Sequence, residues 1–378
     1  MPRPSPRTLV RLALARLALA RLALAALLPL AGCGETDRAE IPLDPPDAAL
    51  EPDAAEPDAA TPDDAAEPEP DAAPDAAPDA RPPSPTAGLP FVAGPDAALF
   101  DCTADFTPPD RRSPVPLGCV IDPDCHEAMV VAHRGAGGQF GTIAPENSLA
   151  AIRAALLLGV DGVELDVRHT ADDRLVLMHD ADLDRTTLAT GAVADHTAAE
   201  LAQIALRPPV RPEIPGDFGC ERVATLEDAF ALTRGRLFID LDTKTSRVDL
   251  VVAAITAAGL QDEVFVSVSD AAKAAEARRL DPSIRVQVRP DSPAEYEEVM
   301  ALFDRPPEIV EIPSTQIELM APAIRAAGQK VFADVWGADV NAGLRGDVSA
   351  YRAHYAAGAH ILQSEFAPLV LEALGRRE

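Results

Sequence analysis

Four short blocks of this chain carry side chains able to do chemistry together: His133-Arg134-Gly135, Glu164-Leu165-Asp166, His179-Asp180, and Asp240-Leu241-Asp242-Thr243-Lys244. Glu164 and Asp166 stand at i and i+2 of an apolar run, so on a strand both carboxylates leave the same face. Asp240, Asp242 and Lys244 repeat that spacing on a later run, whose end would bring a third carboxylate to the first two. No triad of basic residues is evident in these blocks to cancel them, and carboxylates crowded in one cleft repel each other. A divalent cation relieves the repulsion, and an all-oxygen ligand set favours Mg2+ or Ca2+ over zinc.

The elements around the blocks are those of an alternating α/β chain. Met129 to Ala132 is an apolar run too short for a helix, which reads as a buried parallel strand leading into His133, Arg134 and a Gly135–Gly138 loop. Ala144-Pro145-Glu146-Asn147-Ser148 then opens a helix, with Asn147 as its expected cap and Gly159 as its stop. Apolar runs recur near 130, 163, 237, 264, 285, 309, 331 and 361, mostly separated by stretches long enough for helical crossovers, which gives the strands of a TIM-like (β/α)8 barrel. The run at 175–180 follows its predecessor too closely for a crossover. It reads as the return strand of a hairpin turning at Ala171–Arg174, in a register that sets His179 opposite Glu164. Residues 181–235 are expected to form an insertion over the mouth, where Arg185 and Cys220 shape access.

His133-Arg134-Gly135, Pro145-Glu146-Asn147, Glu164-Leu165-Asp166-Val167, His179-Asp180 and Leu183-Asp184-Arg185-Thr186-Thr187 resemble, in order and spacing, the successive blocks of glycerophosphodiester phosphodiesterases. The likeness continues more loosely through Ala224–Ala229, the Asp240–Lys244 run and Gly358–Phe366. It implies metal-dependent hydrolysis of a glycerophosphodiester to glycerol 3-phosphate and an alcohol. Under it, Glu164, Asp166 and Asp242 are metal ligands, the Asp-x-Lys spacing favouring Asp242 over Asp240. His133 and His179 exchange protons, while Arg134, Glu146 and Lys244 bind the substrate. Glu365 stands where the family usually has Asp, and Asp334-Val335-Trp336-Gly337 replaces a Trp-Thr-Val-Asn type of string. Both positions lie outside the catalytic blocks and bear on substrate fit. Rival readings are a related barrel phosphodiesterase for phosphatidylinositol or sphingomyelin head groups, and a noncatalytic binding lipoprotein, which would show decayed catalytic positions.

The rest of the chain speaks to location. Residues 1–33 hold Arg3, Arg7, Arg11, Arg16 and Arg21, then an apolar run from Leu22 too short to span a bilayer, ending in Leu30-Ala31-Gly32-Cys33. The string resembles a bacterial lipobox, which implies export and a lipid anchor on Cys33, at the outer membrane facing the periplasm or the cell surface. Residues 34–95 repeat Pro-Asp-Ala-Ala and lack the bulky apolar residues that would offset the entropy of ordering, so they read as an extended tether. About half of the formal net charge of −28 falls there; the remainder is still acidic, which argues against nucleic-acid binding. Residues 96–128 form a cysteine-bearing extension to a barrel over 129–378. Cys102, Cys119, Cys125 and Cys220 make an even set in an exported chain and predict two disulfides, with Cys125 to Cys220 as the expected link.

Overall fold

The computed structural model describes residues 94–138, 143–209 and 214–377. The leader with Cys33, and the acidic segment up to residue 93, lie outside the described residues. Eight parallel strands close into a barrel: β1 Met129–Ala132, β2 Gly162–His169, β4 Phe238–Thr243, β5 Val264–Ser267, β6 Arg285–Val288, β7 Ile309–Glu311, β8 Lys330–Asp334 and β9 Ile361–Ser364. β1 pairs with both β2 and β9, which closes the ring. β3, Leu175–Leu177, lies antiparallel on β2 outside the ring. All eight barrel strands fall on the apolar runs expected from the sequence.

Helices α1 Leu149–Leu158, α3 Leu226–Thr233, α4 Val248–Ala258, α5 Ala271–Leu280, α6 Pro293–Met300 and α7 Ile317–Ala326 fill the crossovers, with a four-residue helix α2 at Ala198–Leu201. α8 Trp336–Arg345, α9 Ser349–Ala356 and α10 Ala367–Ala373 complete the chain. α1 ends at Gly159, whose φ of 76° is the left-handed conformation that lets the last turn close. Its N-cap is Ser148, accepting from the Ala151 N–H, and not Asn147 as the sequence suggested. Asn147 takes a φ of 53° and turns its amide to Asp166, a stronger use for a buried amide than a cap that Ser148 already supplies.

Inward-facing residues change character along the barrel axis. At the strand starts Val131, Phe238, Phe265, Ile309, Phe332 and Ile361 form a buried apolar cluster, capped from outside by Val115, Cys119 and Val120. Gly162 is required there, because a Cβ would stand 2.6 Å from the Phe238 ring. Two residues further on, the same faces carry His133, Glu164, Asp240, Ser267, Gln287 and Glu311. The strand period of two thus stacks a polar layer on an apolar floor, and the helices bury the opposite, aliphatic faces.

Two expectations are corrected. The hairpin pairs Val167 with Leu177 and His169 with Leu175. Thr170 N–H already donates to Arg174 O, which leaves a three-residue loop with Asp173 at φ 55°. Carried forward, that register sets His179 opposite Leu165, one residue from the expected Glu164. The disulfides are Cys102 to Cys220 and Cys119 to Cys125. Cys125 lies at the floor, where its carbonyl accepts from Lys330 Nζ at the start of β8. Cys220 precedes Glu221, which accepts from Ala150 N–H at the N-terminus of α1, towards the mouth. A Cys125 to Cys220 bond would have to cross the height of the barrel.

Asp161 holds the floor together. Fully buried, it accepts from Val130 N–H at 2.7 Å and from Arg376 at 2.7 Å, with Arg111 3.6 Å away and Ser113 also bonded to it. One carboxylate therefore ties the extension, β1 and the C-terminal residues to the start of β2. Asp161→Ala leaves two largely buried guanidiniums without their anion, and urea unfolding at neutral pH should show a loss of about 3–5 kcal/mol. A loss under about 1 kcal/mol would mean that water replaces the carboxylate freely.

Candidate active site

The C-terminal ends of β1, β2 and β4 bring together the groups that the sequence singled out. Ligand atoms from Glu164, Asp166 and Asp242, all buried, lie within 4.8 Å of one another. β2 and β4 pair Glu164 with Asp240 and Asp166 with Asp242, so register alone puts the carboxylates in two adjacent rows. Asp240 sits lower, accepting from Gln287 Nε2 at 3.0 Å. Burial pushes its carboxyl up to about 7, and Glu311 and Asp242 add to that against the opposing pull of Arg289. Glu164 is raised well above the usual carboxylate range, by burial first and then by Asp166, with His133 opposing. This donor set suits a divalent cation: it is all oxygen, converging, and electrostatically frustrated on its own.

Three basic residues, Lys244, Arg289 and Arg134, do lie against the carboxylates, whereas the sequence had shown no cancelling triad. Lys244 Nζ is 2.9 Å from Asp242 Oδ2 and 3.5 Å from Asp166 Oδ1. Arg289 donates both terminal nitrogens to the same Asp242 oxygen at 3.1 Å. Burial alone would raise Asp242, but Arg289 and Lys244 outweigh it and hold the carboxyl below its ordinary value. Arg134 Nη1 donates to Glu146 at 2.8 Å, and its Nε lies 3.4 Å from Asp166. That Nε is buried with no aligned hydrogen-bond acceptor. Arg134 has φ 50°, a left-handed turn that lets its own N–H reach Glu164 Oε2 at 2.8 Å. Asn147 grips Asp166 from both sides, donating Nδ2 to Oδ2 at 2.8 Å and accepting the Asp166 N–H at 3.0 Å.

His133 stands beside the cluster, its Nε2 3.6 Å from Glu164 Oε2 and its Nδ1 bonded to Glu365. Burial opposes the charged ring, but Glu365 and Glu164 together overcome it and push the imidazole up to about 10. Glu365 therefore touches a candidate proton-transfer residue, so this position bears on chemistry and not on substrate fit alone. Gly138 makes room for the Glu365 carboxylate, since a Cβ there would stand 2.3 Å from its Oε2. The Glu365 N–H is in turn anchored on Asp339 at 2.8 Å.

His179 joins the site through a relay of charges. Its Nδ1 is 2.7 Å from Asp180 Oδ1, and its carbonyl is held by Arg168 at 2.7 and 2.9 Å. Asp180 pairs with Arg185 at 2.6 Å, and Arg185 reaches both oxygens of Glu146 at 2.7 and 2.9 Å. A third of the His179 side chain stays exposed, against 15% for His133. Roles for Asp180, Arg289 and Glu311, and the hydrogen bonds of Asn147 to Asp166, were not assigned from the sequence. The Arg285-Val286-Gln287-Val288-Arg289 alternation was a visible signal for Arg289, since it places the arginine on the inward face two residues above Gln287.

Residues 133–280 match the model of the Glycerophosphoryl diester phosphodiesterase family. A glycerophosphodiester phosphodiesterase of Caldanaerobacter subterraneus subsp. tengcongensis is 29% identical over 167 residues, 42% of this chain and 65% of that protein. Human glycerophosphodiester phosphodiesterase 1 is 44% identical over 101 residues, 27% of this chain and 29% of that one. The chain thus spans less than two thirds of the length of these relatives. Among solved structures, a Glycerophosphoryl diester phosphodiesterase from Parabacteroides distasonis superposes with a TM-score of 0.61 at 22% identity, covering 70% of this chain and 94% of that one. An Oleispira antarctica phosphodiesterase, solved with the product sn-glycerol-3-phosphate, gives 0.54 at 24% identity, covering 66% and 97%. These superpositions establish the shared barrel fold.

The raised Glu164 would make the binding of a cation at this cluster depend on protons. A cation needs the ionised carboxylate, so binding should release protons, and affinity should rise with pH until Glu164 is ionised without it. Titration calorimetry with Mg2+ and with Ca2+ in buffers of different ionisation enthalpy reads this release directly; a binding heat independent of the buffer would contradict it.

Proposed function

We propose that this protein is a divalent-metal-dependent phosphodiesterase that hydrolyses glycerophosphodiesters to glycerol 3-phosphate and an alcohol. The observation that carries the reading is the convergence of Glu164, Asp166 and Asp242 within 4.8 Å beside His133, at the strand-end face of the barrel. The names of the relatives supply the substrate class. Glu164, Asp166 and Asp242 would hold Mg2+ or Ca2+, and the ion would polarise the phosphoryl group and steady the charge that grows on its nonbridging oxygens.

The chain's own residues divide the remaining work. Arg134, pinned by Glu146 and offering a buried Nε without an aligned acceptor, faces the phosphate as a charged donor. Lys244, shared between Asp242 and Asp166, adds a second positive charge. Glu146 is fixed by Arg134 and Arg185 and offers carboxylate oxygens to a glycerol hydroxyl. The Nδ1 contact with Glu365 leaves His133 Nε2 turned towards Glu164 and the reacting group, where it exchanges a proton with the nucleophile. His179, backed by Asp180 and more open to solvent, delivers a proton to the departing alcohol.

The location belongs to the same proposal. The arginine-rich start, the short apolar run and Leu30-Ala31-Gly32-Cys33 support export and anchoring through a lipidated Cys33, with the acidic Pro-Asp-Ala-Ala segment holding the barrel off the membrane.

Turnover of a panel of glycerophosphodiesters, with and without chelator, tests the reading; activity that survives complete removal of divalent cations would refute it. His133→Ala and His179→Ala should each lose about 10²- to 10⁴-fold on glycerophosphocholine while keeping cation affinity. On a nitrophenyl diester, whose leaving group barely needs a proton, His179→Ala should lose far less than on glycerophosphocholine, and equal losses on both substrates would remove His179 from that role. Cys33→Ser should shift the protein from the membrane to the soluble fraction with turnover unchanged; retention in the membrane after signal cleavage would point to a different anchor.

A further inference from the structure

Arg289 does not belong to any of the blocks that point to a phosphodiesterase, yet it reaches the centre of the site. It follows β6, four strands round the ring from β1, and so approaches from the wall opposite His133 and Arg134. Its Nε lies 2.6 Å from Glu311 Oε2, an ion pair to the neighbouring strand β7 that is close in distance but not aligned as a hydrogen bond. Glu311 is held in turn by Gln287 Nε2 at 2.9 Å. Both terminal nitrogens point the other way and share the single Oδ2 of Asp242 at 3.1 Å. Lys244 Nζ occupies the same oxygen at 2.9 Å.

Two cations on one carboxylate oxygen, itself part of the carboxylate cluster, is an arrangement that a divalent ion must disturb. Positive charge at Asp242 would repel both side chains and weaken their claim on that oxygen. Arg289 keeps its anchor on Glu311, so its terminal pair stays at the edge of the site with donors to spare. A guanidinium ion-paired to Glu311, whose terminal nitrogens would be released as Asp242 turned to a cation, matches two oxygens of a phosphate group. Resting on the phosphodiesterase reading above, we propose that Arg289 is a substrate-binding residue, closing on the phosphate from the side opposite Arg134, with Glu311 as its positioning residue. Its place just after β6 also sets the direction of the substrate, since the phosphate would lie between the β1 and β6 walls over the carboxylates.

The test is a calorimetric titration of glycerol 3-phosphate into the full protein at saturating Mg2+, alongside a separate Mg2+ titration, for wild type, Arg289→Gln and Arg289→Lys. Arg289→Gln should weaken glycerol 3-phosphate by about 10- to 100-fold, the usual worth of a hydrogen bond to a charged group. Arg289→Lys keeps the charge beside Asp242 and should show an intermediate loss; it also carries the test if the glutamine variant does not fold. A residue that only neutralises Asp242 behaves differently: its removal would tighten Mg2+ and leave glycerol 3-phosphate unchanged, which overturns the proposal. If wild type binds glycerol 3-phosphate and the variants bind it more weakly, but no diester is hydrolysed, Arg289 stands as a phosphate ligand and the phosphodiesterase reading falls. If wild type does not bind glycerol 3-phosphate, both fall.

Discussion

Repulsion among buried carboxylates at one end of the barrel is the constraint around which this molecule is arranged. Glu164, Asp166 and Asp242 lie within 4.8 Å of one another, with Asp240 buried beneath them. Removing such charges from water costs several kcal/mol each unless partners offset the loss. Every neighbouring choice follows from that cost. Arg134 and Asn147 take left-handed backbone conformations to deliver donors to Glu164 and Asp166. Lys244 and Arg289 converge on Asp242. The compensation is held by residues from several strands, so the barrel has to be closed before the cluster can exist.

The barrel supplies what the cluster needs by dividing its interior into two levels. The aromatic floor of Phe238, Phe265 and Phe332 fills the lower half with side chains that need no hydrogen bonds. Two residues along each strand the inward face becomes polar, and the ends of β1, β2 and β4 present their groups at one mouth. Asp161 fastens the floor with a buried, multiply paired carboxylate, whereas the mouth keeps its carboxylates in excess. The same residue type is a structural fastener at one end, where guanidiniums surround it, and a candidate cation ligand at the other.

Much of this was legible in the sequence for a physical reason: strand parity and apolar runs are local properties. The eight strands, the shared face of Glu164 and Asp166, and the Gly159 stop all follow from residues a few positions apart. What was missed depended on contacts between segments distant in the chain. Arg289 compensates Asp242 across 47 positions. Glu365 reaches His133 across 232 positions, so it looked peripheral until closure of β9 on β1 brought them together. Asn147 looked like a cap because capping is a local rule; Ser148 took that role and freed the amide for Asp166. The disulfide pairing failed likewise, since spacing along the chain does not tell which cysteine lies at the floor and which towards the mouth.

The central claim is that the carboxylate cluster is a divalent-cation site serving phosphodiester hydrolysis. The most direct measurement is anomalous diffraction from crystals grown with Mn2+ and glycerol 3-phosphate. The account predicts a metal peak within bonding distance of oxygens from Glu164, Asp166 and Asp242, with the phosphate on its open side. No peak there at saturating Mn2+, or a peak ligated by other residues, would contradict it.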